Sequence, residues 1–400
     1  MQNPTDVSPI TEYGDTAVLD GETSQRPGVL ILLSSLIPGG AEKHAVSLAN
    51  RLDTTRFRLT ACSIKAADWR TTELDQSRVD ALMSLEVRDK FSWRAVERLA
   101  REIDRQRIDI IVCVNGYPVL HALAASLRAR RRVRLVEVFH TTRPATIKGQ
   151  AHMLLNRLLF RHCDLLIYVS HAQRQYWRGR GLRARRDIVI QNGVDTAHFA
   201  DRLTAAQREQ VRAEFGFTPD DYVIGLCGFL RPEKAHDDLL HALHQLRQRG
   251  IPAKAMLIGD GPRRAHIEQL IAQLQLQHAV VITGYRPDVR PCVASCDVMT
   301  LTSHDETFSL AALESMALGK PLVMTRVGGA EEQVQHGVNG LLYEPADIEA
   351  LTSHLAVLAE PLQRQAMGEA ARQSVHRTFT VERMMAAFTC ELLALDSFPA

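Results

Sequence analysis

Two carboxylates eight residues apart, Glu306 and Glu314, lie within the segment SHDETFSLAALESM, residues 303–316. Glu306 falls in a loop after the apolar, strand-like run Val298–Thr302. Glu314 lies within a helix predicted to begin at Phe308 or Ser309. One acid therefore stands ahead of a helix N-terminus and the other roughly a turn and a half inside it. Between them the main-chain N–H groups of Thr307, Phe308, Ser309 and Leu310 are the unpaired donors of a helix start, an anion site suited to phosphate oxygens. A carboxylate accepts two hydroxyl hydrogen bonds, which recognition of ribose or a sugar ring requires. An acidic first turn that merely complements the helix dipole accounts for Glu306 well and for Glu314 less well.

Three further loops carry residues suited to the same chemistry. Gly228-Phe229-Leu230-Arg231-Pro232-Glu233-Lys234 closes a strand-like run, and Arg231 and Lys234 there could neutralise a diphosphate. The competing reading is an ordinary surface turn. Ile37-Pro38-Gly39-Gly40-Ala41-Glu42 follows the first strand, and its glycine pair lets backbone approach a ligand before a helix starts. It is neither GxGxxG nor a P-loop. Gly259-Asp260-Gly261-Pro262 ends another strand, with Pro262 at the expected first helical position. Arg264 stands where a dinucleotide fingerprint needs glycine. That argues against a hydride-transferring oxidoreductase, which would also need a ribose-binding acid near residue 60.

The elements that must position these loops alternate along the chain. The nearly continuous apolar run Gly28–Leu36 reads as a parallel strand buried on both faces. Further strand candidates follow at Arg58–Ile64, Ile108–Val114, Val133–Phe139, Leu165–Val169 and Ile188–Gln191, with helical stretches between most of them. Thr204–Phe215 is a polar helical joint. A second series follows at Tyr222–Phe229, Ala253–Ile258, Val280–Thr283, Val298–Thr302 and Pro321–Thr325. Repeated βα alternation predicts an α/β fold of two doubly wound parallel sheets, with ligands beyond the carboxyl ends of the strands.

Composition narrows the class. The 400 residues exceed what one core usually supports. No run reaches the roughly 18 apolar residues of a membrane-spanning helix. Met1–Pro27 has no basic start followed by an apolar stretch, so it is expected to be a mobile tail rather than a secretory signal. Seven cysteines without paired spacing fit a reducing cytoplasm and no structural zinc. The net charge of +2 divides into +9 over residues 1–200 and −7 over the remainder. Its positive excess concentrates in Arg128–Arg134 and Arg174–Arg186. Those clusters read either as a surface for an anionic membrane or phosphorylated acceptor, or as a solvated basic face. No recognition helix, zinc finger or aromatic stacking surface accompanies them, which speaks against nucleic acid.

From Tyr222 to Leu351 the chain resembles the C-terminal domain of family-4 retaining glycosyltransferases. The matching pieces are RPEKAHDDLLHAL, LIGDGPRR, ITGYRPDV, ETFSLAALESMALGKPLV and VGGAEEQVQHGVNGLLYEP, in the family's order. SLIPGGAEKHAVSLANRL, VFHTTRP and IQNGVD extend the resemblance thinly over the first half. The resemblance implies the GT-B fold, two Rossmann-like domains facing across a cleft. The expected divisions are a tail (1–27), an acceptor-side domain (28–205), a nucleotide-sugar domain (206–378) and a helix crossing back to the first domain (379–400).

Site roles follow from the same resemblance. Arg231 and Lys234, with the amides around Phe308, Ser309 and Leu310, would bind the donor diphosphate. Glu306 would contact the transferred sugar, Glu314 the ribose hydroxyls, and the Gly284-Tyr285-Arg286 loop would border the base. Gly39 and Gly40 would face the phosphates or acceptor, Gly259 would line the donor site, and His140 would lie near the donor sugar. The implied reaction is metal-independent, retaining hexosyl transfer from a UDP-, GDP- or ADP-sugar to a glycan or lipid-linked acceptor, at the inner face of the membrane or in the cytoplasm. No cofactor is implied.

Two departures from the family pattern stand out: Phe229 occupies a common arginine position, and Thr307 a common glycine. A catalytically silent nucleotide-sugar-binding or assembly protein of the same fold is the alternative. Retention of both Glu306 and Glu314 speaks against it.

Overall fold

The computed structural model describes residues 26–35, 39–66, 73–141 and 147–397. Most of the expected N-terminal tail, Ile37 and Pro38 of the glycine loop, Thr142–Pro144 of VFHTTRP and residues 398–400 lie outside the described residues.

The first part of the chain runs β1 (Gly28–Leu33), α1 (Gly40–Arg51), β2 (Arg58–Ser63), β3 (Ala81–Ser84), α2 (Trp93–Arg105), β4 (Ile108–Val114), α3 (Tyr117–Ser126), β5 (Arg134–Phe139), α4 (Ile147–Phe160), β6 (Leu165–Tyr168), α5 (His171–Gly179) and β7 (Arg186–Val189). Its seven strands form a parallel sheet in the order β3-β2-β1-β4-β5-β6-β7. The unbroken apolar run of β1 has a direct cause. Val29, Ile31 and Leu33 join the core under α1, while Leu30 and Leu32 join a separate core under α2 to α5. Both faces of the strand are covered, so period-two alternation disappears.

The joint helix α6 (Ala205–Glu214) starts with a reciprocal cap between Thr204 and Gln207. The second part then runs β8 (Val223–Cys227), α7 (His236–Gln248), β9 (Lys254–Ile258), α8 (Arg264–Gln273), β10 (Val280–Ile282), α9 (Arg290–Ser295), β11 (Val298–Leu301), α10 (Leu310–Ala317), β12 (Leu322–Thr325), α11 (Ala330–Gln333), β13 (Leu341–Tyr343), α12 (Ile348–Val357), α13 (Pro361–Thr378) and α14 (Val381–Ser397). Its six parallel strands are ordered β10-β9-β8-β11-β12-β13.

Helix α14 belongs to the second half of the sequence but packs on the first sheet. The Val194 N–H donates to the Phe379 carbonyl at 2.9 Å, and the Val381 N–H donates to the Val194 carbonyl at 3.0 Å. Beyond that hinge Phe388 and Leu392 are fully buried in one core with Leu48 and Leu52 of α1.

Several local expectations shift. Strands β3 and β13 have only four and three residues, and neither makes a long apolar run legible beforehand. Strand β7 begins at Arg186 rather than Ile188, because the Arg186 N–H pairs with the Asp164 carbonyl and its guanidinium with Glu391. Pro262 sits in a turn, and α8 begins at Arg264. Among the described residues no helix is long and apolar enough to cross a membrane.

Candidate active site

A cleft of about 640 Å³ opens between the strand ends of the two sheets, and every site residue proposed from sequence lines it. Helix α10 forms its floor. Ser309 caps that helix, its hydroxyl accepting from the Ala312 N–H at 3.3 Å. Its own N–H is taken by the Gln333 side-chain oxygen at 3.1 Å, and the Gln333 amide returns a bond to the Ser309 carbonyl at 2.8 Å. Ser309 is therefore not a free donor of the expected anion site. The N–H groups of Leu310 and Ala311, in the first helical turn, have no protein acceptor among the described residues. Phe308 contributes main chain rather than ring. Its side chain is buried against Phe379, with centroids 5.6 Å apart, and its carbonyl accepts from Asn192 at 3.0 Å.

Glu306 and Lys234 meet although 72 residues separate them, their carboxylate and ammonium 2.6 Å apart. Lacing between two loops brings them together. The Thr302 hydroxyl donates to the Lys234 carbonyl at 2.8 Å, and the His304 N–H donates to the Glu233 carbonyl at 2.9 Å. Arg231 opens the short turn that ends in Lys234. Its guanidinium lies 4.5 Å from the centre of the Phe229 ring. The departure at Phe229 thus supplies a cation–π platform for Arg231. Across the cleft stands Glu42 of α1. Burial raises its carboxyl, and the charge of Arg231 draws it partly back.

Glu314 lies in the second turn of α10, where burial raises its carboxyl and Lys43 of α1 opposes the shift. No protein donor among the described residues reaches its oxygens. Glu42 and Lys43 were not singled out from sequence. The available signal was their place directly after the glycine pair, at the start of a helix. Gly39 caps α1 and Gly40 opens it, and a Cβ at Gly40 would meet nothing within 4 Å.

Gly259 has φ +146°, and a Cβ there would overlap the Gly228 carbonyl, so the ends of β8 and β9 touch only because position 259 is glycine. Tyr285 beside it is 70% exposed. Arg286 is held by Glu214 at 2.9 Å and lies 5.0 Å from the centre of the Phe215 ring. A second glycine pair, Gly328-Gly329, also escaped notice as part of the site. Gly328 has φ +54°, its Cβ position filled by the Glu306 carbonyl, and the Gly329 N–H donates to the Thr307 carbonyl at 2.8 Å. The pair fixes the backbone that carries Glu306.

His140 reaches the cleft from β5. Its ring lies 4.8 Å from that of His44, edge to face. Burial, and then the neighbouring His44, push its pKa well down, so the imidazole is neutral. The two domains are tied at this depth. The Thr307 hydroxyl donates to the His140 carbonyl at 2.8 Å. Glu332 of α11 accepts from the His171 and Ala172 N–H groups at the start of α5, at 3.0 and 2.9 Å, and from Gln191 at 2.6 Å. No group of three or more His, Cys, Asp or Glu able to hold a metal occurs among the described residues.

The arginine clusters are mostly spent internally. Arg128 faces Glu97 at 3.5 Å, Arg131 pairs with Asp109, Arg134 with Asp164 at 3.3 Å, Arg174 with Asp187 at 2.6 Å, and Arg185 with Asp164 at 3.0 Å.

Comparison with known proteins decides the family. The model for Glycosyltransferase Family 4 matches residues 38–198, and the model for Glycosyl transferases group 1 matches residues 207–374. The N-acetyl-alpha-D-glucosaminyl L-malate synthase of Bacillus anthracis is 30% identical over 302 residues, 73% of this chain and 76% of that protein. The chain belongs to glycosyltransferase family 4. A Mycobacterium tuberculosis GDP-mannose-dependent alpha-(1-6)-phosphatidylinositol dimannoside mannosyltransferase is 29% identical over 261 residues, covering 65% of this glycosyltransferase and 61% of that one. Anabaena HepE, solved in complex with UDP, superposes with a TM-score of 0.80 at 25% identity, over 92% of this chain and 100% of that one. The two facing doubly wound sheets of this glycosyltransferase are the GT-B fold.

Proposed function

We propose that this glycosyltransferase moves a hexosyl unit from a nucleoside diphosphate-sugar to an acceptor hydroxyl, with retention of anomeric configuration and without a divalent metal. One observation carries the reading: Lys234 touches Glu306 at the end of a cleft floored by the free N-terminal amides of α10, with Arg231 alongside. Departure of the nucleoside diphosphate builds negative charge on its terminal phosphate. Arg231, Lys234 and the amides of Leu310 and Ala311 are fixed in advance where that charge develops. Glu306 contacts the transferred sugar, and its bond to Lys234 links sugar and phosphate recognition. Glu314 accepts the ribose hydroxyls, with Tyr285 and Arg286 bordering the base. Gly40 leaves room for phosphate or acceptor on the opposite wall, and neutral His140 packs beside the sugar. The acceptor hydroxyl attacks the face the leaving group departs from, and a phosphate oxygen of the leaving group takes its proton.

The relatives support a nucleotide-sugar donor. HepE was solved with UDP-glucose as well as UDP, and the mycobacterial relative is named for GDP-mannose. The acceptor is a glycan or lipid-linked glycan of polysaccharide, lipopolysaccharide or glycolipid assembly, met at an anionic membrane surface on the cytoplasmic side. A thermal-shift panel of UDP, GDP and ADP with their sugars tests the donor. A ligand at about a hundred times its Kd adds roughly 2.7 kcal/mol of stability. A panel in which no nucleotide shifts the melting temperature overturns the reading.

A further inference from the structure

Helix α4 carries two apolar stripes where a surface helix needs one. Met153, Asn156 and Phe160 form the inward stripe and are buried. Ala151, Leu154, Leu155 and Leu158, at i, i+3, i+4 and i+7, form a second stripe that faces solvent. Leu154 is 60% exposed, Leu155 41% and Leu158 56%, and they are three of the few large apolar side chains so exposed among the described residues. A contiguous apolar patch of this kind marks a surface that meets something else.

Charge says what that is. From His140 to Cys163 the chain contains no Asp or Glu, and carries Arg143, Lys148, Arg157 and Arg161. Arg161 is exposed and Arg157 half-buried, with its Nε enclosed and lacking a hydrogen-bond partner, and neither has an ion pair among the described residues. In Arg128–Arg134 and Arg174–Arg186, by contrast, Arg131, Arg134, Arg174 and Arg185 each face a carboxylate. A second copy laid on the same stripe would bring Arg157 and Arg161 against their own counterparts, with no carboxylate in the segment to pair them. An anionic lipid surface meets both needs, since leucines enter the acyl boundary while arginines stay among phosphates.

Position completes the argument. Helix α4 starts seven residues after His140, which lines the cleft, and follows β5 at the strand ends where the cleft opens. We propose that the Leu154–Leu155–Leu158 face of α4 docks this protein onto an anionic lipid bilayer, setting the cleft mouth beside a lipid-borne acceptor. This deepens the acceptor reading above and rests on it for the acceptor alone. The docking itself is independent of the donor.

The full chain is sedimented with vesicles of phosphatidylcholine containing about one-third phosphatidylglycerol, and with pure phosphatidylcholine vesicles. It should bind the anionic vesicles, less so as salt rises. Leu154→Ser with Leu158→Ser should lower partitioning about tenfold or more. Arg157→Gln with Arg161→Gln should remove most of the preference for anionic lipid, again about tenfold. Both variants should keep the wild-type melting temperature and nucleotide affinity, which separates loss of docking from loss of fold or site. Vesicle binding with no nucleotide binding would retain the docking face and sink the donor reading instead. The proposal is overturned if the wild-type chain stays in the supernatant, or if the leucine variant binds as well as wild type. It is also overturned if sedimentation equilibrium shows a dimer that the leucine substitutions dissociate, which would make the stripe a contact between copies.

Discussion

The Thr307 hydroxyl donates to the main-chain carbonyl of His140 at 2.8 Å, joining the loop that holds Glu306 to the strand end of the other domain. Position 307 is thus a latch between domains. Thr307→Val keeps the volume and removes the donor, at a net cost of about 1 kcal/mol, or roughly fivefold in the latched population. The expected outcome is a fall of that order in kcat/KM for the donor with a nearly unchanged melting temperature. Thr307→Ser should restore the rate. A Val variant as fast as wild type would show that the latch has no part in turnover.

The two acids should separate by ligand. Glu314→Gln weakens binding of every compound carrying the nucleotide, by roughly 1.5–3 kcal/mol for a charged hydrogen bond. Glu306→Gln leaves nucleoside diphosphate affinity nearly intact and lowers turnover strongly. Calorimetric affinities beside initial rates check both. Wild-type rates in both variants would return these carboxylates to a helix-dipole role.

Fixed cations make a further demand. With Arg231 held on Phe229 and Lys234 on Glu306, turnover should survive excess EDTA. Activity that vanishes on chelation and returns only with Mg²⁺ or Mn²⁺ would refute the metal-free mechanism. Phe229→Ala, which removes the platform beneath Arg231, should weaken donor binding by about 0.5–2 kcal/mol.

Acid should loosen the fold through the histidine pair. Burial pushes the His44 pKa from 6.5 down to about 4, and burial pushes His140 down as well. Below pH 6.5 the unfolded chain takes up protons that the folded chain refuses, so stability falls as pH drops through the window from 6.5 toward 4. From His44 alone the loss between about pH 7 and about pH 5 is on the order of 2 kcal/mol. Urea unfolding at the two pH values measures it. His44→Phe should flatten the dependence, and an equal slope in the variant would assign the acid sensitivity elsewhere.

The strands that carry the site were legible because each is buried on both faces. Residues 110–114 of β4 and Leu165–Tyr168 read as unbroken apolar runs. Ser309 was equally legible, a capping residue ahead of a helix-forming stretch. Contacts that depend on folding were not. Gln333 takes the Ser309 amide from 24 residues away, and Phe229 meets Arg231 by a side-chain rotation that spacing does not encode. Nor could the arginine clusters be judged in advance, because Asp109, Asp164 and Asp187 reach them only after the strands align.

Helix α14 gives the molecule an order of assembly. Phe388 and Leu392 fill the core against Leu48 and Leu52, so the first domain to leave the ribosome lacks part of its interior until the far end of the chain has been made. Its α1 face must wait, exposed, through synthesis of the whole second domain. A stop codon or protease cut near Phe379 would strike hardest at the opposite end of the sequence, unseating α1 and with it the wall that carries Gly39, Gly40 and Lys43.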